Sequence, residues 1–491
     1  MKHLVIGIDG GTERILRYFE MPFTKELIEK SRMRELQEDV WSRGWAEMYT
    51  GMHARETRAF YELPNLDGTH RFNRKFGYRT ASENPQTRFL WDELDEKGVK
   101  SLFMNIPTTY PAPKLKHGVF VAGAGGGLND VSTIPDGLCQ PPESKEILED
   151  AGYVVDLRYG PSGIKELEVL FQKLNEMMVK RAEGFVKLAK QYGSEFGFLA
   201  FRATTIVQYV AMSEIEMIIG DLEMPEIGQA ADERPIHALI KEHYRELDRA
   251  LEHLFTELQP EHFILTADHG HVPFLKRANM TPLLVELGFQ KEAKAGKSIK
   301  KMISKMLPQK LFVRVAQSAP KGIRQKVRGF DVKRSLAFAN TNIHGVYVND
   351  ARRFGGPVRE GKNLDKVVDE IVETLNRNEQ FLDAGMKARP YRRDHLDAHF
   401  ADYLPDVWID FPDDVFFDSN DPKFLTPNKQ FAPILNLKDV PSDVNSGQKG
   451  KKPLFFYDEG QKNLVPPDGD LDLTLVYRMV TSFFEKSCQN S

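Results

Sequence analysis

Asp268-His269-Gly270 follows the apolar run Phe263-Ile264-Leu265, so a carboxylate and an imidazole stand together where a buried strand ends. In parallel α/β sheets, strand ends are where ligands gather. Leu4 to Ile8 forms a second such run, and Asp9 follows it, ahead of Gly10 and Gly11. Two strand ends remote in sequence can converge on one ion. Carboxylate oxygen combined with imidazole nitrogen suits Zn²⁺, Mn²⁺ or a similar divalent ion better than Ca²⁺, which takes an all-oxygen shell. Taken singly, each motif has the composition of an ordinary polar turn.

Strands that deliver Asp9 and Asp268 need a sheet to stand in. Ser101 to Ile106 and Phe196 to Arg202 read as strands, Leu167 to Tyr192 and Ile236 to Leu258 as amphipathic helices, and Phe263 to Ala267 as the strand ahead of Asp268. This alternation predicts an α/β fold, a mainly parallel sheet sandwiched between helices. At 491 residues and 41% hydrophobic content the chain exceeds a usual single domain and can bury a large core.

Further segments fall in a familiar order. They are Gly7-Ile8-Asp9-Gly10, Trp45 to Gly51, Leu90 to Leu94, Met104 to Pro111 and Gly118 to Gly123, followed by Gly152 to Asp156 and His243 to Asp248. Asp268-His269-Gly270, His344 to Asn349 and Leu404 to Val407 complete the series. In this order the chain resembles the alkaline phosphatase superfamily over residues 1 to about 410, in its type I phosphodiesterase/nucleotide pyrophosphatase-like branch of phosphohydrolases and phosphomutases. The resemblance implies an alkaline-phosphatase-like fold with an inserted cap. It also implies a metal-dependent hydrolase or phosphotransferase acting on a phosphoric ester. Asp9, Asp268 and His269 match the ligands of one metal ion. Ile8-Asp9-Gly10-Gly11-Thr12 also looks like the first phosphate loop of the actin and sugar-kinase fold, but the second Asp-x-Gly-Thr loop which that reading needs is absent.

Two departures from the family pattern matter. The position of its Ser/Thr nucleophile falls on Trp41, so Ser42 is the candidate if the turn shifts by one residue. Arg43 would then offer a planar donor fork to phosphate oxygens, and as a plain structural alternative Ser42 caps the helix that follows. The Asp and His of a second metal site read Thr205 and Tyr209, and Glu214 and Glu216 fall on different helix faces, so they do not repair it together. One ion, Zn or Mn, is the expectation, with Arg202 holding a phosphate oxygen and His344 binding substrate or supplementing a metal. Loss of second-site ligands favours a phosphodiester over a monoester. The other reading is a catalytically degraded member that binds a phosphorylated ligand or a partner protein. Ser42-Arg43-Gly44-Trp45 lacks the Pro and Arg spacing of sulfatases. Gly123 to Gly127 reads either as a loose turn or as a nest of backbone N–H groups for an anion.

The expected layout is a catalytic core of residues 1–290 and 335–410, a basic inserted cap at 291–334, and a loop-rich C-terminal extension, 411–491, packed on the core. Residues 291–334 carry fourteen Lys/Arg against Glu292 and Asp331. That excess makes either a solvated face or, through Lys300, Lys301, Lys305 and Arg314, an attraction for a polyanionic substrate or an anionic membrane surface. The expected partner is a phosphorylated small molecule or a glycan or lipid phosphate. A net charge of −4 gives the whole chain no pull toward nucleic acid. Two cysteines cannot build a disulfide framework, and no segment reads as a signal peptide or membrane span, so a cytoplasmic location is expected.

Overall fold

The computed structural model describes residues 1–125, 128, 133–160, 163–220, 234–292, 331–340, 343–417, 421–438 and 445–489. Gly126, Gly127, Lys300, Lys301, Lys305 and Arg314 lie outside the described residues, as does most of the basic segment.

The chain forms two compact units, one of residues 1–59, 75–275 and 428–491, the other of residues 60–74 and 276–427. The first is built on an eight-stranded sheet. His3–Ile8 lies at its middle, parallel to Phe196–Phe201 on one side and His262–Thr266 on the other. Ser101–Met104 and Gly118–Val121 extend the parallel run beyond Phe196–Phe201. Antiparallel strands close both edges, Phe455–Asp458 with Ser31–Met33 on one side and Cys139–Gln140 on the other. All six residues of His3–Ile8 are buried, as a strand covered on both faces requires.

Successive residues of a strand point to opposite faces, which identifies the two covering layers. A Cβ added at Gly7 would lie 2.3 Å from the Trp45 ring, whereas one at Gly197 would lie 2.7 Å from Phe185. Gly7 is in register with Ala200, so it faces the side opposite to Gly197. Helix Gly44–Thr50, which carries Trp45, thus covers one face, and the 26-residue helix Leu167–Tyr192, which carries Phe185, covers the other. Pro235–Leu258 packs against Leu167–Tyr192. Its first residue is a proline, which needs no intrahelical donor there.

The second unit has its own core. Its four-stranded antiparallel sheet runs Ala337–Ala339, Gly345–Val348, Val407–Asp410, Lys387–Pro390. Helix Lys362–Leu375 packs on it. Arg353, 2% exposed, bonds Asp350 at 2.6 Å and Asp406 at 2.5 Å, which balances its buried charge.

Residues 335–410 belong to the second unit, because their strands pair with one another and not with the central sheet. The stretch from 428 onward is part of the first unit. It supplies the sheet strand Phe455–Asp458 and the strand Gly447–Gly450, antiparallel to Gly270–Pro273. Among the described residues no helix is long and apolar enough to cross a membrane.

Candidate metal centre

Register brings the first two candidate ligands together. Gly7 pairs with Thr266, so two residues further on Asp9 and Asp268 leave adjacent parallel strands side by side. Gly10, at φ +71°, turns the chain directly after Asp9. A Cβ there would also lie 2.8 Å from Gln208 Oε1 and 3.0 Å from His271 Nδ1, so glycine is needed both for conformation and for space.

One ligand atom each from Asp9, Asp268 and His269 lies within 4.8 Å of the others, and all three residues are buried. His269 Nδ1 donates to the carbonyl of Gly270 at 2.7 Å. Its Nε2 is thereby left with a lone pair, 3.7 Å from Asp9 Oδ1 and 3.5 Å from Asp268 Oδ2. Burial, then Lys449 and His271, hold the imidazole well below its usual pKa, so it is neutral. A neutral nitrogen lone pair turned toward two carboxylates is repulsive unless a proton or a cation sits among them. Burial lifts Asp9 above the usual carboxylate range, against the pull of Arg202, Lys449, Thr205 and Trp45. Asp268 is pushed well above that range by burial and then by Asp9. Asp268 Oδ1 is buried with no hydrogen-bond partner among the described residues. A divalent ion would relieve each of these conditions, and the donor set fits one.

Around this cluster stand groups that bear on an anion. Arg202, the residue before helix Ala203–Ile219, is ion-paired with Asp156 and has Asp9 as a second acidic neighbour. Its side chain remains 39% exposed, enough to meet a ligand. Gly44 packs on Asp268: a Cβ would fall 2.2 Å from the Asp268 carbonyl oxygen. That approach brings the Asp39–Arg43 turn next to Asp268. In the turn Ser42 Oγ donates to Asp39 Oδ2 at 2.8 Å, and the N–H groups of Trp41 and Ser42 donate to Asp39 Oδ1 at 2.9 and 2.6 Å. Arg43 stacks its guanidinium 5.6 Å from the Phe76 ring centre, while Trp41 is buried at 1% exposure, a packing residue.

The helix Ala203–Ile219 places Thr205 and Tyr209 one turn apart beside the cluster. Tyr209 lies edge-on to His271, ring centres 4.6 Å apart. Burial, then the charges of Asp9 and Asp268, keep its hydroxyl protonated. Glu214 is engaged with Arg234 and His237 at 2.8 and 2.9 Å, and Glu216 with Arg14. None of these residues supplies a second anionic ligand set. His344 lies in the second unit, buried among Phe411, Phe417 and Trp408, at ring separations of 4.3, 5.1 and 6.0 Å. It is not in the ligand group that the described residues assemble.

Asp39, His271 and Lys449 were missed in the sequence. Lys449 stands opposite His271 in the Gly270–Pro273/Gly447–Gly450 pair. Burial pushes its ammonium down to about 7, against the attraction of Asp268 and Asp9. The sequence signal, a lysine in Gly447-Gln448-Lys449-Gly450, looks like a loop. His271 was visible two residues beyond Asp268-His269-Gly270, and burial, then Lys449, lower it to about 3.

The chain matches the model of the family described as type I phosphodiesterase/nucleotide pyrophosphatase over residues 3–429. No curated protein sequence matches it. Among solved structures it is similar to phosphonoacetate hydrolase from Sinorhizobium meliloti 1021 in complex with phosphonoformate, with TM-score 0.54, 11% identity, and 99% and 96% of the two chains covered. Murine ectonucleotide pyrophosphatase/phosphodiesterase 5 aligns with TM-score 0.43 at 10% identity, covering 99% of this chain and 95% of its own. The family match spans both strand-end motifs that build the metal centre, and the chain belongs to the type I phosphodiesterase/nucleotide pyrophosphatase family of metal-dependent phosphoric ester hydrolases.

Proposed function

We propose that the chain cleaves a phosphodiester at a single divalent ion, Zn²⁺ or Mn²⁺, held by Asp9, Asp268 and His269, with Ser42 as nucleophile. The observation that carries this reading is the neutral His269 Nε2 turned toward two carboxylates at 3.7 and 3.5 Å. Asp9, Asp268 and His269 would hold the ion, which when bound would supply Lewis-acid stabilisation of the charge that develops on the phosphoryl group.

The chain's own groups do the rest. Ser42 Oγ attacks phosphorus and the bond to the ester oxygen breaks, while the Ser42 proton passes to Asp39 Oδ2, its acceptor at 2.8 Å. The departing alkoxide takes a proton from solvent; water then adds to phosphorus and gives up a proton to solvent, and as the Ser42–phosphorus bond breaks Asp39 returns its proton to Ser42 Oγ. Arg43 and Arg202 orient the non-bridging oxygens through planar donor forks. A diester is favoured because the Thr205 and Tyr209 positions supply no second dication for a monoester's extra charge. The leaving group is that of a small phosphorylated metabolite, glycan or lipid. His344, among its aromatic neighbours, acts as a packing residue in this scheme. A cytoplasmic location accords with Cys139 being a buried free thiol.

The test is release of nitrophenol from bis-(p-nitrophenyl) phosphate and p-nitrophenyl phosphate with Mn²⁺ or Zn²⁺, in the native chain, Asp268→Ala and Ser42→Ala. Loss in both variants supports the scheme. Turnover that survives Ser42→Ala assigns the attack to water or another residue. Absence of turnover from an ion-loaded native chain favours a protein that only binds its phosphorylated ligand.

A further inference from the structure

We propose that Asp156 is a positioning residue of this site: its carboxylate holds the Arg202 guanidinium by one N–H and leaves the others to a phosphoryl oxygen. The proposal rests on the reading above that the phosphoryl group binds beside Asp9 and Asp268.

Three observations carry it. The first is where the arginine stands. Phe201 pairs with Ile8, and the Asp9 N–H donates to the Phe201 carbonyl at 2.8 Å, so Arg202 leaves its strand next to Asp9. The strand that delivers Asp9 lies between those that deliver Asp268 and Arg202, which sets the three residues in a row along one end of the sheet. The Thr204 hydroxyl donates to the Asp9 carbonyl at 2.8 Å and fixes the backbone just after Arg202 as well.

The second observation is how the guanidinium is used. Arg202 Nη1 is ion-paired with Asp156 Oδ2, and its side chain has no other hydrogen-bond partner among the described residues. A guanidinium carries five N–H groups in one plane, so most of them remain, on a side chain that is 39% exposed. Arginine stays charged at every working pH, and its attraction for an anion depends on no neighbour's titration.

The third observation is how firmly Asp156 is held. Its carboxylate is buried. The segment that carries it is tied down by Tyr153, whose hydroxyl donates to Asn105 Oδ1, and by Arg181, whose guanidinium donates to the carbonyls of Val154 and Val155. Arg181 is itself buried, in helix Leu167–Tyr192, and its Nη2 stands 4.0 Å from Asp156 Oδ1. A carboxylate taken out of water needs cations near it, and Arg181 supplies one. Two arginines thus share one carboxylate, a buried one that steadies it and a partly exposed one that it orients. A long side chain held in advance loses less freedom when its ligand arrives.

The sign of the effect separates this role from a plain charge. Deleting a carboxylate that only repels an anion tightens anion binding, whereas deleting an anchor weakens it. The experiment measures inorganic phosphate binding by calorimetry on the Zn²⁺- or Mn²⁺-loaded native chain, Arg202→Met, Asp156→Ala and the double variant, with a thermal melt to confirm folding. The proposal expects affinity about 10- to 100-fold weaker in Arg202→Met, the range for hydrogen bonding to a charged group. In Asp156→Ala it expects about 2- to 10-fold weaker binding, the cost of ordering one long side chain. Adding Asp156→Ala to Arg202→Met is expected to bring no further loss, because the anchor then has nothing to hold. Asp156→Asn, which keeps the shape without the charge, takes the place of Asp156→Ala if that variant does not fold, and is expected to bind more weakly than the native chain. Unchanged or tighter binding in a folded Asp156 variant overturns the proposal, as does an equal loss with and without Arg202, or unchanged binding in Arg202→Met. A loaded native chain that binds no phosphate removes the phosphoryl site on which both readings rest. None of these readouts needs turnover, so a chain that shows the coupling while cleaving neither nitrophenyl ester supports this inference and sinks the hydrolase reading.

Discussion

Ser42 donates its hydroxyl proton to Asp39 Oδ2 at 2.8 Å, while Asp39 Oδ1 accepts the N–H groups of Trp41 and Ser42 itself. One carboxylate thus shapes the turn and stands ready to take a proton. Asp39→Asn separates the two duties, because the amide oxygen still accepts the backbone N–H groups while its nitrogen cannot accept a proton. The expected result is a kcat on bis-(p-nitrophenyl) phosphate lower by about 10²- to 10⁴-fold with KM little changed. Equal kcat in folded Asp39→Asn would remove Asp39 as the base.

Gly44 lies against the Asp268 backbone, with room for no Cβ: the added carbon would sit 2.2 Å from a carbonyl oxygen and 2.5 Å from Leu473. Gly44→Ala must therefore move the Asp39–Arg43 turn, the strand end that carries Asp268, or both. A stability loss of about 1–3 kcal/mol, typical of overpacking, is expected in urea unfolding, together with weaker metal affinity. Unaltered metal affinity would show that the turn shifts without disturbing Asp268.

Asp9 and Asp268 were legible as candidates because each stands at the end of an apolar run, and such runs are what a strand buried on both faces looks like. Their adjacency came from register, Gly7 against Thr266, which no local pattern displays. Lys449 was illegible for a physical reason: its strand is four residues long, has glycine at both ends, and pairs with a segment far away in the chain. His344 shows another limit of a local pattern. Its strand was recognisable, but only the fold puts Phe411, Phe416 and Phe417 around its ring. Alternating strands and helices do not say which sheet each strand joins, so the unit of residues 60–74 and 276–427 is not visible as a local pattern.

Buried neutral histidines set an acid limit on stability. Burial depresses His243 to about 3, and its Nδ1 lies 2.7 Å from Asn175 Oδ1. His3, fully buried and bonded to Gln461, is lowered to about 4. A depressed pKa means that the unfolded chain binds the proton more tightly. The stability is complete above the unfolded value of about 6.5 and is lost as pH falls toward 4 and then 3. Each group contributes up to a few kcal/mol at about 1.4 kcal/mol per pH unit. Urea midpoints should fall steeply between pH 6.5 and 4, and His243→Gln, which keeps a donor for Asn175, should show a shallower fall. Identical pH slopes for the two proteins would contradict this.

The central claim is that Asp9, Asp268 and His269 hold a divalent ion on which phosphoric ester cleavage depends. The most direct measurement is a Zn²⁺ or Mn²⁺ titration of the chelator-treated native chain and of Asp268→Ala, following bound metal and bis-(p-nitrophenyl) phosphate turnover in the same samples. The account predicts that native turnover rises with metal to a plateau at one ion per chain, and that folded Asp268→Ala binds no ion at the same concentrations and turns over no substrate. Turnover in the metal-free native chain, or full metal binding by Asp268→Ala, would contradict it.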